Sequence, residues 1–181
     1  MVESQLIARG LRDERVLDAM RAVPRERFVP EAHRDAAYAD RPLPIGGGQT
    51  ISQPYMVGKM LEVLECEPDS VALEVGAGSG YQAALLGELC GEVWAVEIVS
   101  ELARRARAVL ADLGYDNVHL VTGDGAEGLA EHGPWDRIIV AAGAPHIPEP
   151  LIDQLADGAR LVMPVGGRMS QRLVIVDRDG D

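Results

Sequence analysis

The chain has 181 residues, 47% of them hydrophobic and 25% charged, a balance that excludes a disordered polypeptide. No stretch approaches the roughly 18 apolar residues of a membrane-spanning helix. Seventeen Lys and Arg against 29 Asp and Glu leave a net charge of −12, a field that repels polyanions and argues against nucleic acid as a partner. At this length roughly 70% of the unfolded surface can be buried, so one core and one domain spanning 1–181 are expected.

The N-terminus carries charges inside every apolar run and shows no small-residue cleavage pattern, so no export signal is expected. In the first segment Val16, Leu17, Met20 and Val23 fall at helical spacing, and Pro24 closes the helix. From Arg27 to Thr50 the pattern breaks into Pro30, Pro42, Pro44 and the run Gly46, Gly47, Gly48. That is too long for a connector in a compact domain and predicts a functional Gly-rich loop. Helical spacing resumes at Met56, Val57, Met60, Leu61 and Leu64. The domain therefore divides into an N-terminal helical and loop region, 1–66, and an α/β core, 67–181.

Beyond Pro68, apolar runs predict strands at 71–75, 93–98, 118–122, 137–142 and 160–165. Helical patterns intervene at Tyr81–Leu89, Leu102–Leu113 and Leu151–Leu155, with Ser100 a candidate N-cap and Gly114 a candidate residue just past a helix end. Near-continuous apolar strands alternating with helices predict a doubly wound, mostly parallel α/β sheet covered on both faces. A sixth run at 172–177 is followed by Asp179-Gly180, a hairpin signal. The expectation is a truncated chain or an unpaired C-terminal edge, with the return strand missing after Asp181.

Cys66 and Cys90 lie in apolar helical stretches without partners at ligand spacing and read as inert thiols of a reduced cytoplasm. His33, His119, His132 and His146 are scattered, so no metal site is expected. In a doubly wound sheet the ligand lies outside the carboxyl ends of the strands. The first strand is followed by Gly76-Ala77-Gly78-Ser79-Gly80, which permits close backbone approach to a ligand. The second ends in Glu97, a carboxylate able to accept both ribose hydroxyls. The third ends in Gly123-Asp124-Gly125, where Asp124 can face an adenine amino group. A dinucleotide fingerprint needs G-x-G-x-x-G, but Tyr81 stands where its third glycine belongs. The spacing G-x-G-x-G suits S-adenosylmethionine better.

Four segments in the same order, LPIGGGQTISQPYM at 43–56, LEVGAGSGYQ at 73–82, GDG at 123–125 and IPEPLIDQL at 147–155, resemble the protein-L-isoaspartate O-methyltransferases. QTISQP at 49–54 and AVPRERFV at 22–29 are the specific parts of that resemblance. It implies a Rossmann-like, S-adenosylmethionine-dependent methyltransferase fold with an N-terminal helical extension. It also implies methyl transfer to the α-carboxylate of L-isoaspartyl residues in damaged proteins; a small-molecule methyltransferase and a non-catalytic nucleoside-binding domain are the alternatives, and a cytoplasmic monomer is expected. Ser52 then takes the active-site position and Thr50 lines the same pocket. Gly76, Gly78 and Ser79 match the loop under the methionine part of the cofactor. Glu97 matches the ribose ligand, Asp124 and Gly125 the adenine contacts, and Glu74 the acidic residue at the end of the first strand. Gln171 matches a glutamine near the cofactor. The chain departs from the family's Thr-Ala-Ala-Pro at Ala141-Ala142-Gly143-Ala144-Pro145, which removes a hydroxyl at 141.

A peptide carboxylate has a pKa of about 3–4 and is ionised at neutral pH, so this reaction needs no general base. Its demands are in-line alignment and exclusion of water. A serine hydroxyl can hold the carboxylate without neutralising it. Ser52 also stands where it could cap the helix opened by Pro54, and the two roles are compatible.

Overall fold

A computed structural model describes residues 1–167 and 170–180. Helix α1 (Glu14–Ala22) starts at Asp13, whose side chain accepts the Arg15 and Val16 amides, and ends at Val23 beside Pro24. It buries Val16, Leu17, Ala19 and Met20, the face that the apolar spacing marks. The segment expected as one long loop is more ordered than its Pro and Gly content suggests. It holds 3₁₀ turns at Arg25–Phe28 and Glu31–Ala36, then a hairpin of β1 (Leu43–Gly46) and β2 (Gln49–Ile51). Leu43, Ile45 and Ile51 give the hairpin a buried apolar face, a period-two pattern that the intervening prolines obscure.

Helix α2 (Pro54–Leu64) packs against the N-terminal segment so closely that a Cβ on Gly58 would lie 2.6 Å from Leu11 Cδ2. The core then alternates β3 (Val71–Val75), α3 (Tyr81–Leu89), β4 (Glu92–Glu97), α4 (Ser100–Asp112), β5 (Val118–Thr122), β6 (Trp135–Val140), α5 (Glu149–Asp153), β7 (Leu155–Gly167) and β8 (Ser170–Asp177). The strand order is β5-β4-β3-β6-β7-β8, with β8 alone antiparallel. The expected strands are all present, and the sixth apolar run forms the edge strand. Ser100 is a correction: it is the first helical residue of α4 and makes no capping hydrogen bond, Val99 being the N-cap. Gly114, at φ +80°, does follow the end of α4.

The strands bury both faces. Ala72, Val93, Ala95, Ile139 and Val162 belong to the larger apolar cluster, which takes in α1, α2 and α3. Leu73, Val75, Val96, Ile138, Val140 and Leu161 belong to the cluster on the other face, with Trp135 and Leu151. Glu74 interrupts this pattern, a carboxylate on a strand otherwise apolar. Cys66 and Cys90, beyond the ends of α2 and α3, are buried free thiols. No helix among the described residues is long and apolar enough to cross a membrane.

Candidate active site

The chain leaves β3 toward β4 and β5, then crosses back to β6 on the other side of β3, so the crossovers diverge between β3 and β6. The carboxyl ends there are the place where such a sheet binds its ligand. After Val75 the backbone turns through Gly76, Gly78 and Gly80, with φ of +88°, +55° and +87°, conformations open to glycine. The Gly76 and Ala77 amides donate to Val96 O at 2.8 and 3.0 Å, pinning the turn to the end of β4. A Cβ at Gly78 would lie 3.2 Å from Ile45 Cδ1, so the β1–β2 hairpin closes directly over the turn.

Glu97 is buried at the end of β4, where Oε2 accepts the Gly78 amide at 2.7 Å and Oε1 the Val99 amide at 2.8 Å. It thus organises the turns that follow two different strands. Glu74 lies beneath the same cleft, fully buried, and neither carboxylate oxygen has a hydrogen-bond partner among the described residues. Burial, with the nearby Glu97 carboxylate adding to it, pushes the Glu74 pKa up to about 8.

A cleft of about 170 Å³ brings together Thr50, Ser52, Glu74, Gly76, Gly78, Ser79 and Glu97. A second cavity of about 190 Å³ shares Gly76, Ile98 and Ala142 with it and contains Asp124 and Gly125. Val140, Leu151 and Met163 give this second cavity apolar walls suited to a flat base. Asp124 Oδ1 accepts the Ala126 amide at 3.0 Å and starts a short 3₁₀ turn. Gly125 is sterically required, since a Cβ there would come within 2.5 Å of Val75 Cγ1.

Two expectations change in detail. Ser52 does not cap α2: Gln53 is the N-cap and makes no side-chain capping bond. The Tyr55 amide instead donates to Asp40 Oδ1 at 3.2 Å, and the Gln53 side-chain amide to Asp40 Oδ2 at 2.9 Å. Asp40 lies in the bend between the second 3₁₀ turn and β1, so Ser52 is released from capping and lines the cleft. Gln171, on β8, does not line either cavity; its side chain covers Gly143, which does. It stands at the rim, one residue removed from the adenine-sized slot.

Sequence reasoning missed Ile98, which it placed in the strand; β4 ends at Glu97, and Ile98 projects 65% exposed between the two cavities. A large apolar residue straight after a strand-end carboxylate was the available signal. Ala142, Leu151 and Met163 gave none, because each is indistinguishable from a core residue in one dimension.

The glycine turn held from β4, the orphaned acidic group beneath it and the adjoining apolar slot together suit an adenosine-bearing cation, and the arm across the cleft leaves room for a second reactant. Fold and site define a nucleoside-cofactor-dependent methyltransferase. The chain belongs to the protein-L-isoaspartate(D-aspartate) O-methyltransferase family, whose sequence profile matches residues 1–181. It is 52% identical to protein-L-isoaspartate O-methyltransferase 1 of Syntrophobacter fumaroxidans over 98% of this chain and 83% of that protein. A solved protein-L-isoaspartate O-methyltransferase superposes with a TM-score of 0.88 at 28% identity, covering 99% of this chain and 60% of the other. A Plasmodium falciparum structure described as a protein-L-isoaspartate O-methyltransferase in complex with S-adenosyl-L-homocysteine gives 0.87 at 27% identity, covering 99% and 89%. The fold, enzyme class and S-adenosylmethionine cofactor expected from the sequence are those of this family.

Proposed function

We propose that this chain methylates the α-carboxylate of L-isoaspartyl residues in damaged proteins, with Ser52 and Thr50 holding the acceptor. The observation that carries this reading is the meeting of Ser52 and Thr50 with Glu74, Gly76, Ser79 and Glu97 in one cleft.

The residues fit S-adenosylmethionine. The glycine turn offers backbone where a side chain would intrude, and the orphaned Glu74 carboxyl can face a cationic group. Gly76, Gly78 and Ser79 would hold the methionine part, Glu97 the ribose hydroxyls, and Asp124 and Gly125 the adenine, with Ile98 against the base. Gln171 supports this slot from its rim through Gly143. When bound, the cofactor supplies an electrophilic methyl group on a positively charged sulfur.

The protein's own contribution is placement. Ser52 and Thr50 hold an acceptor that is already ionised at neutral pH, so no side chain has to remove a proton. A hydroxyl donor orients the carboxylate and leaves its charge available for attack. The hairpin packs Ile45 over Gly78, an apolar contact at the edge of the space where water must be kept from acceptor and donor.

The reading is completed by a single methyltransferase domain in which 1–66 handles the acceptor and 67–181 the cofactor. The protein acts as a cytoplasmic monomer on isoaspartyl proteins and peptides, without nucleic acid or membrane partners. Transfer of labelled methyl to an isoaspartyl peptide, with its aspartyl counterpart as control, tests it. Transfer to the isoaspartyl form alone supports the reading; cofactor binding with no transfer to either peptide refutes it in favour of a non-catalytic nucleoside-binding domain.

A further inference from the structure

Arg25 is fully buried, yet among the described residues no carboxylate pairs with its guanidinium. Its Nε donates to Ala37 O and its Nη2 to Ser52 O, both at 2.7 Å, while Nη1 has no partner among the described residues. The guanidinium carbon lies 4.6 Å from the centroid of the Tyr81 ring. Burial without a counter-ion is costly, and an apolar side chain of similar volume would satisfy packing better. The arrangement therefore calls for an explanation other than core filling.

The three groups that Arg25 touches come from separate parts of the site. Ser52 ends the arm that carries the acceptor-side residues. Ala37 directly follows the second 3₁₀ turn and stands three residues before Asp40, which accepts the Tyr55 amide at the start of α2. Tyr81 is the first residue of α3, directly after the glycine turn, and lines the same cleft as Ser52. A planar guanidinium can bond two carbonyls and lie against a ring at once, whereas an ammonium acts as a point donor.

We propose that Arg25 is a positioning residue for methyl transfer: it clamps the Ser52 end of the acceptor arm to Tyr81 at the head of α3 and so sets the alignment of acceptor oxygen and methyl donor. The inference rests on the acceptor role given above to Ser52. Fixing the Ser52 carbonyl restrains the backbone at the Cα from which its hydroxyl-bearing side chain projects. Misplacement of about 1 Å at such a site can cost roughly 100-fold in rate. None of the cofactor-binding turns is held by Arg25, so its loss falls on turnover rather than on cofactor affinity.

The test uses the full chain with Arg25→Lys, Arg25→Met and, as a control for general core damage, Val23→Ala, a buried residue of the neighbouring segment. S-adenosylhomocysteine affinity is measured by calorimetry and kcat with an isoaspartyl peptide at saturating S-adenosylmethionine. Arg25→Lys should bind S-adenosylhomocysteine within about threefold of wild type but lose roughly 10- to 100-fold in kcat. Arg25→Met should fall at least as far in kcat, and Val23→Ala should keep the wild-type kcat. A wild-type kcat in Arg25→Lys overturns the clamp. Loss of S-adenosylhomocysteine binding in Arg25→Lys also overturns it, by assigning the guanidinium to the fold as a whole. Absence of transfer by the wild-type protein is a separate outcome that defeats the acceptor reading itself.

Discussion

The Gly78 amide donates a 2.7 Å hydrogen bond to Glu97 Oε2, so the carboxylate at the end of β4 holds the turn that follows β3. Glu97→Ala removes this bond and the one from Val99, and leaves two amides without their anionic acceptor. A hydrogen bond to a charged group contributes about 1.5–3 kcal/mol, so S-adenosylhomocysteine should bind roughly 10- to 100-fold more weakly. Calorimetry checks this, and an unchanged Kd removes Glu97 from the cofactor site.

Ser52→Ala should act on the other reactant. Its hydroxyl makes no contribution to capping α2, so little stability should be lost. The expected result is a fall of roughly tenfold or more in methyl transfer with S-adenosylhomocysteine affinity retained. Equal losses in both would place the residue in the fold and not at the acceptor.

Glu74 makes the stability of the cofactor-free protein depend on pH. Its folded pKa of about 8 lies above the ordinary value of 4.5, because burial beside Glu97 favours the neutral carboxyl. The associated stability is complete below the unfolded pKa and is lost as pH rises through the folded one. Glu74→Gln lacks this dependence. From about pH 5 to pH 8, wild type should therefore lose stability relative to Glu74→Gln, by at most about 1.4 kcal/mol per pH unit. Denaturant unfolding at three pH values measures the difference, and a constant difference contradicts the assignment.

Gln154 secures the loop that carries Asp124 and Gly125. Its Oε1 accepts from Leu129 N at 3.0 Å and Trp135 Nε1 at 3.3 Å, and its Nε2 donates to Glu127 O at 2.8 Å. Gln154→Ala should cost about 1.5–3 kcal/mol of stability, three bonds at about 0.5–1 kcal/mol each. It should also weaken S-adenosylhomocysteine binding several-fold while leaving kcat at saturating cofactor unchanged. A kcat loss at full saturation would show that the loop reaches the acceptor side.

The parts of the site that could be read in one dimension are those made by consecutive residues at a strand end. Glu97, the Gly76–Gly80 turn and Asp124-Gly125 each follow an apolar run, and the topology of a doubly wound sheet brings such ends together. Positions whose role depends on another segment escaped. Ile98 differs from a strand residue only in lying beyond the last rung, and Leu151 and Met163 become walls of a slot only when α5 and β7 pack beside β6. The cap assigned to Ser52 failed for the same reason, since Asp40 reaches Tyr55 from fifteen residues upstream and supplies the acceptor instead.

Hydrophobic period and turn chemistry, both properties of neighbouring residues, were enough to determine the alternating α/β order, the glycine turn and the carboxylates at the strand ends. Packing alone decided that Glu74 is buried without a hydrogen-bond partner among the described residues, that the β1–β2 hairpin closes over Gly78, and that Arg25 meets both Ser52 and Tyr81. Burial and hydrogen-bond partnership are set by segments distant along the chain, and local pattern carries no information about which of them will arrive.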